Sequence, residues 1–437
     1  MFRIIFFLFA LLVMVGCSGW YGASPDKPLS GKRISILSLE KSLKPDPKLS
    51  VLDVSLPRPL KNKNWPQAGG NPSHVMHHLA ASGDLEELWS VSIGDGSGSN
   101  VQLITSPIIA NNRIYTMDVE ANVRALDLET GRTIWRVNVA DNEEENRSSG
   151  GGLAVASGKL FVTTGFAQVM ALSLKNGELL WRRVLNGPVR TPPTVFKGRV
   201  FAVTISNTFY ALNESNGKTL WTHIGIAETA GLLGGAAPAA EGSVIVGSFS
   251  SGEVFAFRHE NGRIIWSDLL TAIRQSSPLS KLAHIRGRPV IDSGRVIVTS
   301  NSGRTVSIDL RTGDRIWEKK VGSGDSPWVA GQFIYLLSSL GELICLEKIR
   351  GGVRWVSQLP KYEDEKNQEG PLFWTGPILA GNRLLVGSSH KEVWSVSPYT
   401  GKFLGRIKLS APIYIPPIVA NNTVYILSDD ARLVAFR

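Results

Sequence analysis

Ala125-Leu126-Asp127-Leu128-Glu129-Thr130-Gly131-Arg132-Thr133-Ile134-Trp135 is the stretch on which the reading of this chain turns. A small residue and an aliphatic lead into a short turn, a glycine follows, and a tryptophan stands four residues beyond it. The pattern returns at Ala171–Trp181, Ala211–Trp221, Ala256–Trp266, Ser307–Trp317 and Cys345–Trp355. A seventh copy, Ser395–Gly405, carries glycine where the tryptophan belongs. With Trp89 upstream, Trp135, Trp181, Trp221, Trp266, Trp317 and Trp355 recur every ~40–50 residues, a period that signals stacked units.

Working outward from the first copy gives the content of one unit. Thr105–Ala110 is apolar and β-branched and is closed by Asn111-Asn112. Arg113–Met117 alternates as a half-buried strand does, Val123–Asp127 is a third run, and Thr133–Val137 a fourth. The same four-part order is legible at Pro192–Ile224 and Pro289–Val321. Four short strands per repeat, with no helical periodicity, make a propeller blade. Trp89 belongs to a fourth strand, Glu87–Ser92, with no first three before it. The chain ends on Arg432–Phe436, a third strand with no fourth after it. Joining these two removes the edges that a linear array leaves open. The expectation is therefore an all-β, eight-bladed β-propeller of four-stranded antiparallel blades, closed by pairing of the N-terminal and C-terminal strands.

Gly131, Gly177, Gly217, Gly262 and Gly313 then serve the turn between third and fourth strands, where φ > 0 is needed. The tryptophans read as packing between neighbouring blades rather than as ligand contacts.

The 437 residues would ordinarily suggest two or three domains, but a propeller adds blades around one axis. Three segments result. Residues 1–16 carry a positive start at Arg3 and an apolar stretch, Ile4–Val15, too short to span a bilayer, which is the form of a targeting peptide. Its end, Met14-Val15-Gly16-Cys17, resembles a bacterial lipobox, with methionine at the usual leucine. That resemblance implies lipidation of Cys17, and Ser18 after it implies delivery to the outer membrane. Residues 17–64 carry no repeat. From 18 to 64 there are nine Lys and Arg against four Asp and Glu, so a net of +5 out of the chain's formal +10 lies in this stretch. It reads as an extended basic tether suited to anionic headgroups, with Ile34–Leu39 and Leu49–Leu56 apolar enough to lie against a surface. An exported lipoprotein has little access to nucleic acid, so none is expected as partner. Residues 65–437 form the propeller. Cys345, the only other cysteine, stands where alanine is usual and reads as a small core residue.

Candidate chemistry is sparse. His74-Val75-Met76-His77-His78 has imidazoles that suit zinc or copper, but no Cys, Asp or Glu nearby completes a ligand set, so it reads as a loop packed on the rim. The chain has no nucleophile elbow, phosphate-cradling loop or calcium loop. Gly94–Ser99 reads as an exposed loop, and the charged stretches Asp141–Asn146 and Lys361–Glu369 as solvated connections between blades. No metal, cofactor or catalytic residue is expected.

The repeat resembles that of pyrroloquinoline-quinone-type propellers. Within that superfamily, the lipobox, the tether, the opening Asn64-Trp65-Pro66-Gln67-Ala68-Gly69-Gly70-Asn71 and the eight blades resemble the BamB family, over residues 17–437. The quinoprotein dehydrogenases are the other branch. They typically carry a vicinal Cys-Cys pair over the quinone and are generally longer, and this chain has no such pair. Resemblance to BamB implies a non-enzymatic scaffold that binds BamA within the outer-membrane barrel assembly machinery, together with its other subunits and incoming unfolded barrel proteins. It also implies contact through two loops, Ala230–Pro238 and Ala283–Pro289, with Leu232, Leu233, Gly234, His284 and Arg286 as partner-binding residues. Leu233 stands at the family's arginine, and His284 and Arg286 where aspartates are frequent, so the partner surface is expected to differ in charge.

Overall fold

The computed structural model of the protein describes residues 42–49, 51, 53–140, 148–270 and 282–437. The targeting peptide, Cys17, Ile34–Leu39 and Asp141–Asn146 lie outside them. The described residues contain no helix; they form eight four-stranded antiparallel sheets and one separate hairpin. Blade 1 comprises Ile108–Ala110, Arg113–Met117, Asn122–Asp127 and Thr133–Asn138. Blades 2 to 7 repeat this order, beginning at Gly152, Thr194, Ala239, Val290, Trp328 and Trp374. Blade 8 takes Ile418–Ala420, Thr423–Leu427 and Arg432–Phe436 from the end of the chain and its fourth strand, Glu87–Ser92, from the beginning.

Each element of the repeat has a physical reason. In seven of the eight blades the small residue lies directly opposite the tryptophan, as in Ala125 on Trp135, Ala171 on Trp181, Cys345 on Trp355, and across the seam Ala435 on Trp89; in blade 7 Ser395 faces Gly405. A larger side chain there would compete with the indole for the same face. One position later the register slips, which turns the fourth strand into the tight hairpin. In that hairpin Asp127 Oδ1 accepts from the Glu129 and Thr130 amides and from the Thr130 hydroxyl, and these Thr130 bonds hold its pKa below the ordinary value.

The glycine does more than turn the chain. Its φ is positive in all seven copies, from +68° at Gly217 to +83° at Gly313. The space where a Cβ would stand is also taken, 2.5–2.8 Å from the tryptophan of the preceding blade: Trp89 at Gly131, Trp135 at Gly177, Trp181 at Gly217, Trp221 at Gly262 and Trp266 at Gly313. The same indole donates its Nε1–H to a turn carbonyl beside that glycine, as Trp181 does to Glu214 at 3.0 Å and Trp266 to Leu310 at 2.8 Å. Tryptophan and glycine are thus two halves of one latch between neighbouring blades. This accounts for the defective seventh copy. Gly405 would need a turn glycine in blade 8, but there the two ends of the chain meet and the turn does not exist; nothing lies within 4 Å of a Cβ at Gly405.

A paired prediction follows. Gly313→Ala combines a left-handed φ with overlap on Trp266, and is expected to cost about 2–4 kcal/mol. Gly405→Ala, with free space, should stay within about 0.5 kcal/mol of the parent. Urea unfolding of both variants checks the latch; equal midpoints would refute it.

Residues 62–82 form a strap across the inner strands. Trp65 exchanges backbone bonds with Ile109 of blade 1, and Pro66 O accepts from Val155 of blade 2. Gln67 Oε1 takes the Val195 amide of blade 3. Pro72 and Ser73 carbonyls take Ala240 and Ile291 of blades 4 and 5, and His77 O takes the Trp328 indole of blade 6. Leu79 bonds Leu379 of blade 7, and Asn62 O accepts from Asn421 of blade 8. The backbone at the inner edge of seven blades thereby finds partners, and blade 6 is held through its Trp328 indole. From the preceding segment Val54 is buried, and the Asp46 amide reaches Val353 O at 2.8 Å.

The histidine cluster belongs to this strap. His74 is buried, its Nδ1 donating to Pro289 O at 2.7 Å; burial first, then the nearby Arg288 charge, push its pKa down to about 3. His78 donates to Pro57 O and accepts the Asn382 amide, while His77 contributes its carbonyl. Two connections differ from the sequence expectation. Within Lys361–Glu369 and just beyond it, Tyr362–Asp364 pairs with Glu369–Pro371 as an exposed hairpin, because Asp364 caps the turn through the Lys366 and Asn367 amides. Gly94–Ser99 is a loop with Asp95, Gly98 and Ser99 exposed, but its middle is packed: a Cβ at Gly96 would strike the Asp429 and Asp430 backbone, and Ser97 Oγ donates to Asp429. Cys345 is fully buried, and burial raises its thiol pKa.

Candidate functional site

Because strands alternate in direction, each blade sends its first and third hairpin turns to one face and its second turn, with the connection to the next blade, to the other. The strap runs along the first face. The second face carries the interblade loops, including both loops singled out by resemblance.

The structure brings those two loops together. The Leu232 amide donates to His284 Nδ1 at 2.8 Å, joining the blade 3–4 loop to the blade 4–5 loop. His284 is buried, and burial, followed by the Arg286 charge, lowers its pKa to about 4. It is therefore neutral near pH 7, and its Nδ1 lone pair is available to accept. Arg286 reaches the next loop: its Nε donates to Gly324 O at 2.8 Å and its Nη2 to Asp325 Oδ1 at 3.2 Å. Arg288 and Asp325 lie deeper, where burial lowers the first to about 10 and raises the second. Leu232, Leu233 and Gly234 are half-buried, and Gly234 takes φ +86°. His284 and Arg286 thus hold the loops in place, while the two leucines form their outer part.

Next to this junction lies a cavity of about 190 Å³, lined by Leu232, His284 and the second turns of blades 3 and 4. Ile205, which lines it, is 45 % exposed, and on the chain leading into the blade 3–4 loop Ile224 and Ile226 are exposed at 73 % and 57 %. Ile226 is not loose, since Glu253 Oε2 accepts its amide and Asn207 Nδ2 donates to its carbonyl. Sequence reading missed these isoleucines. An available signal was Ile205, an aliphatic in the two-strand turn Thr204–Asn207, where polar residues are the rule. Side chains that define this surface come from separate repeats, so no single motif contains them. The structural tryptophans stand elsewhere, on the outer strands between blades.

A family model described as outer membrane protein assembly factor BamB matches residues 119–357 and 362–437. The outer membrane protein assembly factor BamB of Yersinia pestis is 28% identical over 357 residues, covering 80% of this chain and 88% of that protein. Among solved structures, BamB from Moraxella catarrhalis superposes with a TM-score of 0.69 at 18% identity, over 81% of this chain and 100% of the other. A quinohemoprotein alcohol dehydrogenase from Comamonas testosteroni superposes with a TM-score of 0.67 at 12% identity, over 86% of this chain and 81% of the other, which reflects the shared propeller alone. The chain, with its eight blades and matched repeats, belongs to the BamB family of outer membrane protein assembly factors.

Proposed function

We propose that this protein is a non-enzymatic scaffold of the outer-membrane barrel assembly machinery. It stands on the periplasmic side, tethered by a lipid on Cys17 and by residues 17–64, with residues 65–437 as the working ring. It binds the periplasmic domains of BamA through the face of interblade loops and positions them, and incoming unfolded barrel proteins, for insertion. The observation that carries this reading is the Leu232–His284 bond, which fixes two loops from different blades as one surface edged by exposed isoleucines. Aliphatic anchors on a rigid frame suit a protein partner, because little ordering entropy is lost on docking. The work is affinity and orientation, not catalysis.

Affinity capture of the tagged lipoprotein from solubilised envelopes tests the scaffold role. A BamA-type barrel is expected among the captured proteins; its absence refutes the reading, and quinone absorbance in the purified protein would support a dehydrogenase instead. For the anchor, Cys17→Ser is expected to release the protein from membranes into the soluble periplasmic fraction. Retention through a high-salt wash would exclude lipidation as the tether, since charge attraction by the basic segment is screened there.

A further inference from the structure

The cavity beside Leu232 has an unusual lining. Most of its polar groups are already engaged: the Thr191 hydroxyl donates to Val203 O, Thr204 pairs with Ser206, Ser250 donates to Asn207, and His284 accepts from Leu232. Two are not. The Ser248 hydroxyl is buried and has no hydrogen-bond partner. Arg190 has a buried Nε without an acceptor, and among the described residues its guanidinium makes no hydrogen bond or ion pair. Val203, Phe249 and Ile285 supply apolar wall. An arginine Nε and a serine hydroxyl that line the same cavity, both buried and both without a partner, forgo interactions that a buried polar group ordinarily has.

We infer that this cavity receives the carboxylate of an Asp or Glu side chain presented by the protein partner, with Arg190 as its principal donor and Ser248 as the second. The inference rests on the docking reading above and names the chemistry recognised there. A guanidinium fork matches a carboxylate in two parallel hydrogen bonds, and does so most strongly where water is scarce. The choice of carboxylate over phosphate follows from charge. One cation and one hydroxyl suit a single negative charge better than two, and Glu228, which also lines the cavity, opposes any anion and a dianion most.

The test measures binding of full-length lipoprotein to detergent-solubilised BamA-type barrel protein. Arg190→Gln is expected to weaken binding at least tenfold, with Arg190→Lys intermediate, and to flatten the loss of affinity between 50 and 500 mM NaCl. Replacing the partner's acidic residues one at a time by their amides should reveal one whose loss adds nothing on the Arg190→Gln background. Additive losses for every acidic residue would overturn the inference. So would unchanged binding by Arg190→Gln while Leu232→Asp with Leu233→Asp abolishes it, an outcome that leaves the docking reading intact. Wild-type binding by both variants would remove both readings. Thermal melting of Arg190→Gln within a few degrees of the parent shows that weakened binding is not unfolding.

Discussion

A chain stopped after Asp430 is expected to lose the single cooperative unfolding transition of the ring. The missing strand, Arg432–Phe436, pairs with Thr423–Leu427 on one side and Glu87–Ser92 on the other, so its removal opens the ring at the seam. Leu433, Val434, Ala435 and Phe436 are all buried. Burial of three larger apolar side chains contributes about 1.5–3 kcal/mol each. Their sum rivals the ~5–15 kcal/mol net stability of a typical domain. Trp89 also loses Ala435, the small residue opposite it, and two unpaired strand edges are exposed to aggregation. Near-UV circular dichroism during heating, with limited proteolysis at 25 °C, makes the measurement. A single transition within a few degrees of the full-length protein would show that the seam does not hold the ring.

Leu232→Asp combined with Leu233→Asp is expected to abolish capture of the BamA-type barrel while leaving the fold in place. Each leucine is only half-buried, so a carboxylate can reach water in the free protein. In a docked interface the same carboxylate is stripped of water without a partner, and an anchor lost at the centre of an interface costs about 2 kcal/mol or more, roughly 30-fold in affinity per residue. The Leu232 amide still has its acceptor in His284, so the loop keeps its backbone path. Co-purification and melting read the two properties separately. Capture at the wild-type level places the interface elsewhere; a fall in melting temperature of ten degrees or more would mean that the leucines are structural.

Much of the fold was legible because the repeat is local. Asp127, Thr130, Gly131 and Trp135 lie within one hairpin, and their spacing reports the turn without reference to the rest of the molecule. Counting copies, including the defective one at Gly405, was enough to place the seam. The role of the glycine was only half legible: its positive φ follows from the turn, but its contact with the preceding blade's tryptophan joins residues 42 apart, as in Gly131 on Trp89. Of the strap, only the packing of His74–His78 on the rim was legible. Residues 62–82 have no repeat because successive parts of the segment meet different blades, and a segment that follows the ring has no period of its own.

The candidate site divides in the same way. Resemblance pointed to Leu232, Leu233, Gly234, His284 and Arg286 as one class of contact residue. The geometry separates them, with His284 and Arg286 turned to internal bonds and the leucines left at the surface. Arg190 and Ser248 carry no signal in sequence, since an arginine in a loop and a serine in a strand are ordinary until their surroundings show that neither has a partner.

By itself, then, the sequence determined the blade, because its hydrogen bonding and packing lie within ~40–50 residues, and with it the number of blades and the seam, because the unit recurs often enough for the copies, and the two incomplete ends, to be counted. Only the tertiary structure decided which loops meet, which polar groups are left unpaired and how the strap crosses the ring. Those features arise where different repeats converge at one face, and convergence in space leaves no regular spacing along the chain.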